Sequence, residues 1–172
     1  MPYDNAHPLF PPLMLEQARE IVEICNRRGL TIATAESCTG GLIAAILTEV
    51  PGASQVFTHG FITYANPAKV AMIDVSEAML ASHGAVSEPI ARSMAEGARR
   101  TAGTSFGIGV TGIAGPGGGS EQKPVGLVHV ACANPQGKTQ HKECHFEGSR
   151  TCIRLKTVEA GLAMLLKQLE VV

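Results

Sequence analysis

TIATAESCTGG, residues 31–41, is the stretch around which the rest of the chain is best interpreted. Residues 30–36 predict a short strand, and GGLIAAILTEV (40–50) predicts a helix that is apolar on nearly all sides, as in a buried helix or a subunit contact. Open α/β sheets bind ligands where strands run into helices, at the carboxyl ends of the strands. Ser37 lies at such an edge, so its hydroxyl is a candidate site group.

Strands and helices alternate along most of the chain and then end in a predicted hairpin. This pattern predicts an α/β protein, a three-layer α/β/α sandwich with a mixed β-sheet. We expect one domain over 1–172, with residues 1–12 as an extended lead. Further strands are predicted at 56–65, 105–113, 127–133 and 138–146, and helices at 11–29, 66–73, 76–83, 87–100 and from Arg150 onward.

The composition favours a soluble protein that acts on a small molecule. Apolar residues make up 45%, the formal net charge is −1, Trp is absent and there are two Tyr, which argues against a nucleic-acid partner. Five widely spaced cysteines favour reduced thiols and a cytoplasmic location. No leader sequence and no uncharged apolar stretch of about 18 residues is recognisable, so no membrane anchor is expected.

The turn after the first predicted strand has two interpretations. The amides of Thr39, Gly40 and Gly41 are expected to be unpaired donors at a helix start, where they could hold an anion or an oxyanion. Alternatively, Ser37 or Thr39 simply caps the helix, and spacing alone favours this cap. Cys38 is a rival nucleophile with His59 as a base, or else a small buried apolar residue.

Lys69 is the candidate base for a serine nucleophile because it lies in the opening turn of a predicted helix, where the helix dipole disfavours its charge. To act near pH 7 its pKa must fall by roughly 3 units from about 10.4, a cost of about 4 kcal/mol that burial must mostly supply. The alternative is a solvated surface lysine. Tyr64, five residues earlier, could orient the lysine or a substrate ring, or be a half-buried strand aromatic.

The loop TGIAGPGGGSEQKP, residues 111–124, is a second candidate for anion binding because glycine-rich turns present clustered amides. It lacks the Gly-Lys-Ser/Thr of a Walker A loop, and a flexible connector is the alternative. Arg150 could clamp a phosphate or be an exposed charge. His141, Glu143 and His145 alternate onto one strand face, but no second cluster completes a metal shell, so no metal site is expected. The loop residues considered for binding are Thr111, Gly112, Gly115, Gly117 and Gly118.

Five stretches resemble the carboxy-terminal domain of the competence/damage-inducible CinA proteins, a domain that also occurs alone as a nicotinamide-nucleotide amidase. The resemblance covers most of residues 30–150. From it we expect the carboxy-terminal domain alone, without the family's larger amino-terminal partner. In FEGSR, Ser149 stands where the family usually has Asp, which leaves Arg150 available. The stretches are TAESCTGGLIA, GFITYANPAKVAMI, HGAVSEPIA, GVTGIAGPGGGSEQKPVGLVHVA and, more loosely, FEGSR.

The resemblance implies hydrolysis of nicotinamide mononucleotide to nicotinate mononucleotide and ammonia, without cofactor or metal, in pyridine-nucleotide salvage. It implies Ser37 as the nucleophile and Lys69 as its base, and Tyr64 matches a tyrosine that many members carry. Amides of Cys38, Thr39, Gly40 and Gly41 are then expected at the oxyanion, and the glycine loop and Arg150 at the phosphate. The alternatives are a non-catalytic nucleotide-sensing module and an amidase for another amide. Of possible oligomers, the dimer is the one expected.

Overall fold

The computed structural model describes residues 9–171, and its centre is a mixed sheet of five strands. The strands are β1 Ile32–Glu36, β2 Phe57–Ile62, β3 Phe106–Gly112, β4 Leu127–Ala133 and β5 Thr139–His145. They are ordered β2-β1-β3-β4-β5 across the sheet. β1 pairs in parallel with β2 and β3, whereas β3, β4 and β5 pair antiparallel. The expected mixed sheet with a terminal hairpin is confirmed.

Six helices cover the two faces of this sheet, which confirms the three-layer α/β/α sandwich. The helices α1, α2 and α6 pack on one face, and α3, α4 and α5 pack on the other. A short 3₁₀ turn at Ala53–Gln55 precedes β2. The helices are α1 Pro12–Arg28, α2 Leu42–Thr48, α3 Asn66–Ile73, α4 Glu77–His83, α5 Glu88–Ala102 and α6 Arg150–Leu169.

The two faces of the sheet are packed differently. The α1/α2/α6 face carries large side chains such as Phe106, Ile108 and Val130, all fully buried. Where β1, β3 and β4 pass under α5, this face carries mainly small residues, so the helix backbone approaches these strands closely. A Cβ built on Gly107 would lie 2.1 Å from the carbonyl oxygen of Ala95 in α5. The small residues on this face are Ala33, Ala35, Gly107, Gly109, Ala131 and Ala133.

The parallel strands bring the site together at one edge of the sheet. β1 ends at Glu36, which pairs with Val110 near the end of β3. The amide of Thr63 donates to Glu36 O at 2.9 Å, so the chain stays alongside β1 after β2 ends. α3 begins three residues later and brings Lys69 back toward the end of β1. The carboxyl edge expected from the sequence is therefore the edge where polar side chains converge.

The amino-terminal lead expected over residues 1–12 falls mainly on residues 1–8, which lie outside the described part of the chain. Phe10 is fully buried in the core, and Pro12 is the first residue of α1. The apolar α2 buries Ile43, Ile46 and Leu47 against the same core. Within residues 9–171, no helix combines the length and the apolar character needed to cross a membrane.

Candidate active site

Ser37 and Lys69 lie within reach of each other at the carboxyl edge of the sheet. Ser37 directly follows β1, and its amide continues the β1–β3 pairing by donating to Val110 O at 3.1 Å. Lys69 lies one turn into α3 and is only 1% exposed. Its Nζ lies 3.4 Å from Ser37 Oγ. The structure therefore places a buried amine beside the one hydroxyl that the sequence motif brings to this edge.

The surroundings of Lys69 are neutral. Nζ donates to the carbonyl oxygen of Thr63 at 2.8 Å and to that of Tyr64 at 3.5 Å. No carboxylate among residues 9–171 forms an ion pair with it. Burial lowers the pKa of the Lys69 amine, because removing it from water disfavours the charged form. The interpretation as a solvated surface lysine is therefore wrong.

The turn after Ser37 differs from the expectation that Thr39, Gly40 and Gly41 all present unpaired amides. Gly40 N donates to Ser37 O at 3.1 Å, and Gly41 N donates to Glu36 Oε2 at 3.0 Å. The reason is that Glu36, not Ser37 or Thr39, caps α2. Both glycines have positive φ, 60° and 96°, which a residue with a side chain rarely adopts.

Glu36 is 1% exposed and its carboxylate is enclosed by donors. Oε2 accepts from Thr39 Oγ1 at 2.6 Å and from the amides of Gly41 and Ile43 at 3.0 and 3.1 Å. Oε1 accepts from the amide of Ala44 at 2.9 Å. A buried carboxylate needs such partners, and these fix the start of α2. Sequence analysis missed Glu36, although a charged residue ending an otherwise apolar strand was a signal.

The amides that remain in the turn are those of Cys38 and Thr39. No oxygen among the described residues accepts from them, and both lie beside the Cys38 sulfur, where they partly offset the effect of burial on the pKa of its thiol. Their carbonyls are both bound by Arg154 of α6, through Nε to Cys38 O at 3.2 Å and through Nη2 to Thr39 O at 2.9 Å. Arg154 was also missed, although it follows Arg150 by one helical turn and therefore shares its helix face.

The Cys38 thiol is not placed as a nucleophile. The residue is 5% exposed and packs in the core, and burial raises the pKa of its thiol to about 11, so it stays protonated near neutral pH. His59, considered as its base, is exposed and contacts Thr58 Oγ1 at 3.0 Å through Nδ1. Of these two neighbouring residues, Ser37 is the one whose side chain contacts the amine of Lys69.

Tyr64 and Arg150 close one side of the site. Arg150, the first residue of α6, donates through Nη2 to the Tyr64 hydroxyl and through Nη1 to Gly115 O, each at 2.9 Å. Tyr64 is 59% exposed and its hydroxyl is bound to Arg150, while its carbonyl oxygen faces Lys69. The tyrosine ring thus forms part of the wall of the site, and its hydroxyl does not contact Lys69.

The other loop residues considered for binding differ in how close they lie to the Ser37–Lys69 pair. Thr111 is buried and its hydroxyl donates to Ala85 O at 2.8 Å, so it is already partnered, and Gly112 packs against Val128. Gly117 and Gly118 are exposed, and the structure gives them no contact with the Ser37–Lys69 pair. Lys123 ties the loop to the start of α5 by donating to His83 O and Val86 O.

The histidines and acidic residue of β5 fall into two separate pairs. His141 Nε2 contacts His129 Nδ1 at 3.0 Å, and His145 Nε2 pairs with Glu143 Oε1 at 2.8 Å. Burial lowers the pKa of both His129 and His141. Over the described residues, no group of three or more potential ligands is arranged to hold a metal ion.

Comparison with known proteins gives a consistent set of relatives. Residues 15–169 match the family model of the CinA C-terminal domain. A CinA-like protein of Anaeromyxobacter dehalogenans (strain 2CP-C) is 51% identical over 138 residues, which are 80% of this chain but 34% of that protein. The chain therefore spans about a third of the length of such curated relatives.

Two further relatives match along nearly their whole length. The nicotinamide-nucleotide amidohydrolase PncC of Escherichia coli (strain K12) is 43% identical over 156 residues, covering 90% of this chain and 94% of that protein. The crystal structure of the competence/damage inducible protein CihA from Agrobacterium tumefaciens superposes with a TM-score of 0.92 at 48% identity. It covers 94% of this chain and 99% of that one.

Proposed function

The chain belongs to the CinA C-terminal domain family, and we propose that it is an amidohydrolase that converts nicotinamide mononucleotide to nicotinate mononucleotide and ammonia. The similarity to the E. coli amidohydrolase, over nearly the full length of both proteins, supports the substrate. The chemistry rests on one observation, the buried amine of Lys69 at 3.4 Å from Ser37 Oγ.

The first step is attack by Ser37 on the carboxamide carbon. An uncharged amine has two N–H groups and one lone pair. The carbonyls of Thr63 and Tyr64 accept from the two N–H groups, which leaves the lone pair for the Ser37 proton. As the Oγ–C bond forms, the proton moves to Nζ, and the carbonyl oxygen of the substrate becomes negative. Lys69 thus acts as a general base that is poised by burial.

The negative oxygen then needs hydrogen-bond donors, and the amides of Cys38 and Thr39, which no protein oxygen takes, are our candidates for it. The C–N bond breaks, and the departing nitrogen takes the proton from Lys69 and leaves as ammonia. Water then attacks the ester on Ser37 and gives its proton to the same amine. Release of the carboxylic acid returns the proton to Ser37, so neither a metal nor a cofactor is consumed in the cycle.

The nucleotide part of the substrate meets the wall formed by Tyr64, Arg150 and Gly115. A guanidinium has five N–H donors, and Arg150 uses one on each of two protein oxygens, so further donors are available for the 5′-phosphate. The exposed Tyr64 ring offers a flat surface to the pyridine. Gly117 and Gly118, whose backbone is exposed, are our further candidates for contact with the nucleotide on the loop side.

The location and assembly of the protein complete the proposal. All five cysteines are free, which suits a reducing cytoplasm and a role in pyridine-nucleotide salvage. A homodimer remains our expectation for its assembly.

The function is tested by ammonia release from nicotinamide mononucleotide, with nicotinamide and nicotinamide riboside as controls for recognition. We expect turnover of the mononucleotide and much weaker turnover of the two compounds without phosphate. Turnover of another amide in place of the mononucleotide would make the protein an amidase of different specificity. Binding of the mononucleotide by calorimetry with no ammonia released would instead favour a nucleotide sensor.

A further inference from the structure

Two charged side chains, outside the Ser37–Lys69 pair, bind four polar groups of the turn 37–41. Glu36 binds the amide of Gly41 and the hydroxyl of Thr39, whereas Arg154 binds the carbonyls of Cys38 and Thr39. Glu36 is attached directly to Ser37, and Arg154 comes from a helix more than a hundred residues later. Neither side chain contacts Lys69.

Arg154 determines where the amide of Thr39 points. In a trans peptide the C=O and N–H groups point in opposite directions. Because the guanidinium holds Cys38 O, the amide of Thr39 in the same peptide is directed away from Arg154. By the same geometry, Ser37 O accepts from Gly40 N, so the amide of Cys38 is directed away from that contact.

Glu36 determines which amides are left over. Its carboxylate takes the amides of Gly41, Ile43 and Ala44, which are the donors that the start of α2 would otherwise offer to an anion. Within the turn, the amides of Cys38 and Thr39 are therefore the donors that neither Glu36 nor a backbone oxygen takes.

We propose that Glu36 and Arg154 are positioning residues, which together hold the 37–41 turn so that the amides of Cys38 and Thr39 receive the oxyanion formed by attack of Ser37. This inference rests on the proposed acyl-transfer function and deepens it. It goes beyond helix capping, because a cap alone stabilises α2 and makes no demand on the reactivity of Ser37.

The test compares Glu36→Gln and Arg154→Lys with Arg99→Lys. Glutamine keeps the shape of Glu36 but places an N–H₂ group among donors, and lysine cannot hold two carbonyls with a planar fork. Arg99 is a matched control because its Nε also donates to a backbone carbonyl, Ser105 O at 3.0 Å, outside the site. Thermal unfolding of each variant reports the purely structural cost.

Two readouts separate positioning from stability. The first is kcat and KM for nicotinamide mononucleotide, and the second is the rate at which methanesulfonyl fluoride modifies Ser37, followed by intact mass. In the second reaction the Ser37 oxygen bonds to sulfur, fluoride leaves, and the proton passes to Lys69. We expect Glu36→Gln and Arg154→Lys to lower kcat and the modification rate by about 10- to 100-fold, with KM changed less than about 3-fold.

Arg99→Lys should lower the unfolding temperature about as much as Glu36→Gln and Arg154→Lys do. It should change neither kcat nor the rate at which Ser37 is modified. If Glu36→Gln does not fold, the positioning role is tested by kcat and the modification rate of Arg154→Lys alone. Unchanged kcat and modification rate in folded variants would overturn the proposal, as would a wild-type Ser37 that the reagent does not modify. If the wild type is modified and the variants are slowed, but no protein releases ammonia from the nucleotide, the positioning role stands and the proposed substrate fails.

Discussion

The amine of Lys69 lies 3.4 Å from Ser37 Oγ although the two residues are 32 positions apart in the chain. The carbonyl of Thr63 holds the same amine at 2.8 Å, and no carboxylate within residues 9–171 compensates its charge. Burial lowers the pKa of the Lys69 amine and so shifts its equilibrium toward the neutral form, which is the form that can take a proton from a hydroxyl.

Replacing Lys69 by methionine should remove the base while filling most of the same volume. We expect kcat for ammonia release to fall by about 10²- to 10⁴-fold with little change in KM, because the amine acts in the transition state. Steady-state kinetics measure both constants. A variant that raised KM alone would make Lys69 a binding residue.

The pH dependence of activity should carry the signature of a lysine with a lowered pKa. Activity is expected to rise with pH as Lys69 loses its proton, with the midpoint of kcat/KM below the ordinary lysine value of about 10.4. A profile that rises only around the ordinary lysine value would contradict this.

The same lowered pKa makes a prediction for stability. Between the pKa of the folded state and that of the unfolded state, the unfolded chain binds more protons, so the free energy of unfolding contributed by Lys69 rises with pH. Urea unfolding at a series of pH values, in the wild type and in Lys69→Met, measures this contribution. The free energy of unfolding of the wild type minus that of Lys69→Met should rise with pH across that interval. A difference that stays constant with pH would count against the buried neutral amine.

Arg150 should act mainly in binding, because its guanidinium faces Tyr64 and Gly115 and does not contact Ser37 or Lys69. Arg150→Lys is expected to raise KM for nicotinamide mononucleotide by about 10-fold or more, since lysine cannot replace the planar fork toward a phosphate. Kinetics with the mononucleotide and the riboside provide the comparison. An equal increase in KM for both substrates would show that Arg150 does not bind the phosphate.

The close packing of α5 on the sheet gives a prediction for stability alone. In Gly107→Ala the new methyl would meet the Ala95 carbonyl at 2.1 Å, and this backbone atom cannot move without shifting the helix. We expect a loss of about 1–3 kcal/mol in the free energy of unfolding, measured by urea. The control is Gly117→Ala, which meets nothing within 4 Å and should change stability by less than about 0.5 kcal/mol. Equal losses would argue against this contact.

The sequence predicts the elements well because they rest on local patterns. The strand ending at Glu36, the short helix predicted at 76–83 and the terminal hairpin all follow from periodicity and turn residues, and the structure has each of them, with the helix beginning at Glu77. The strand order does not follow, because parallel pairing joins segments that are distant in the chain. β3 lies beside β1 although about 70 residues separate them.

Within the site, local patterns make Ser37 and Lys69 candidates only, since spacing alone favours a helix cap and a surface charge. The family resemblance is what selects them, and neither source gives the groups that hold them. The sequence places Glu36 in a strand, and only the folded chain shows that its carboxylate turns into the start of α2 and takes the amide of Gly41. The burial of Lys69, which decides between a base and a surface charge, likewise depends on the packing of α3 against the sheet. Such burial is a property of the fold and not of the residue's neighbours in the sequence.

The central claim is that the hydroxyl of Ser37 forms the covalent intermediate, and mass spectrometry of the acid-quenched reaction tests it most directly. During turnover of nicotinamide mononucleotide, the peptide containing residues 31–41 should carry the nicotinoyl nucleotide on Ser37. Ser37→Ala should lose both adduct and ammonia release, whereas Cys38→Ala, which removes a thiol whose pKa is about 11, should keep most of both. An adduct on Cys38, or full ammonia release by Ser37→Ala, would contradict the account.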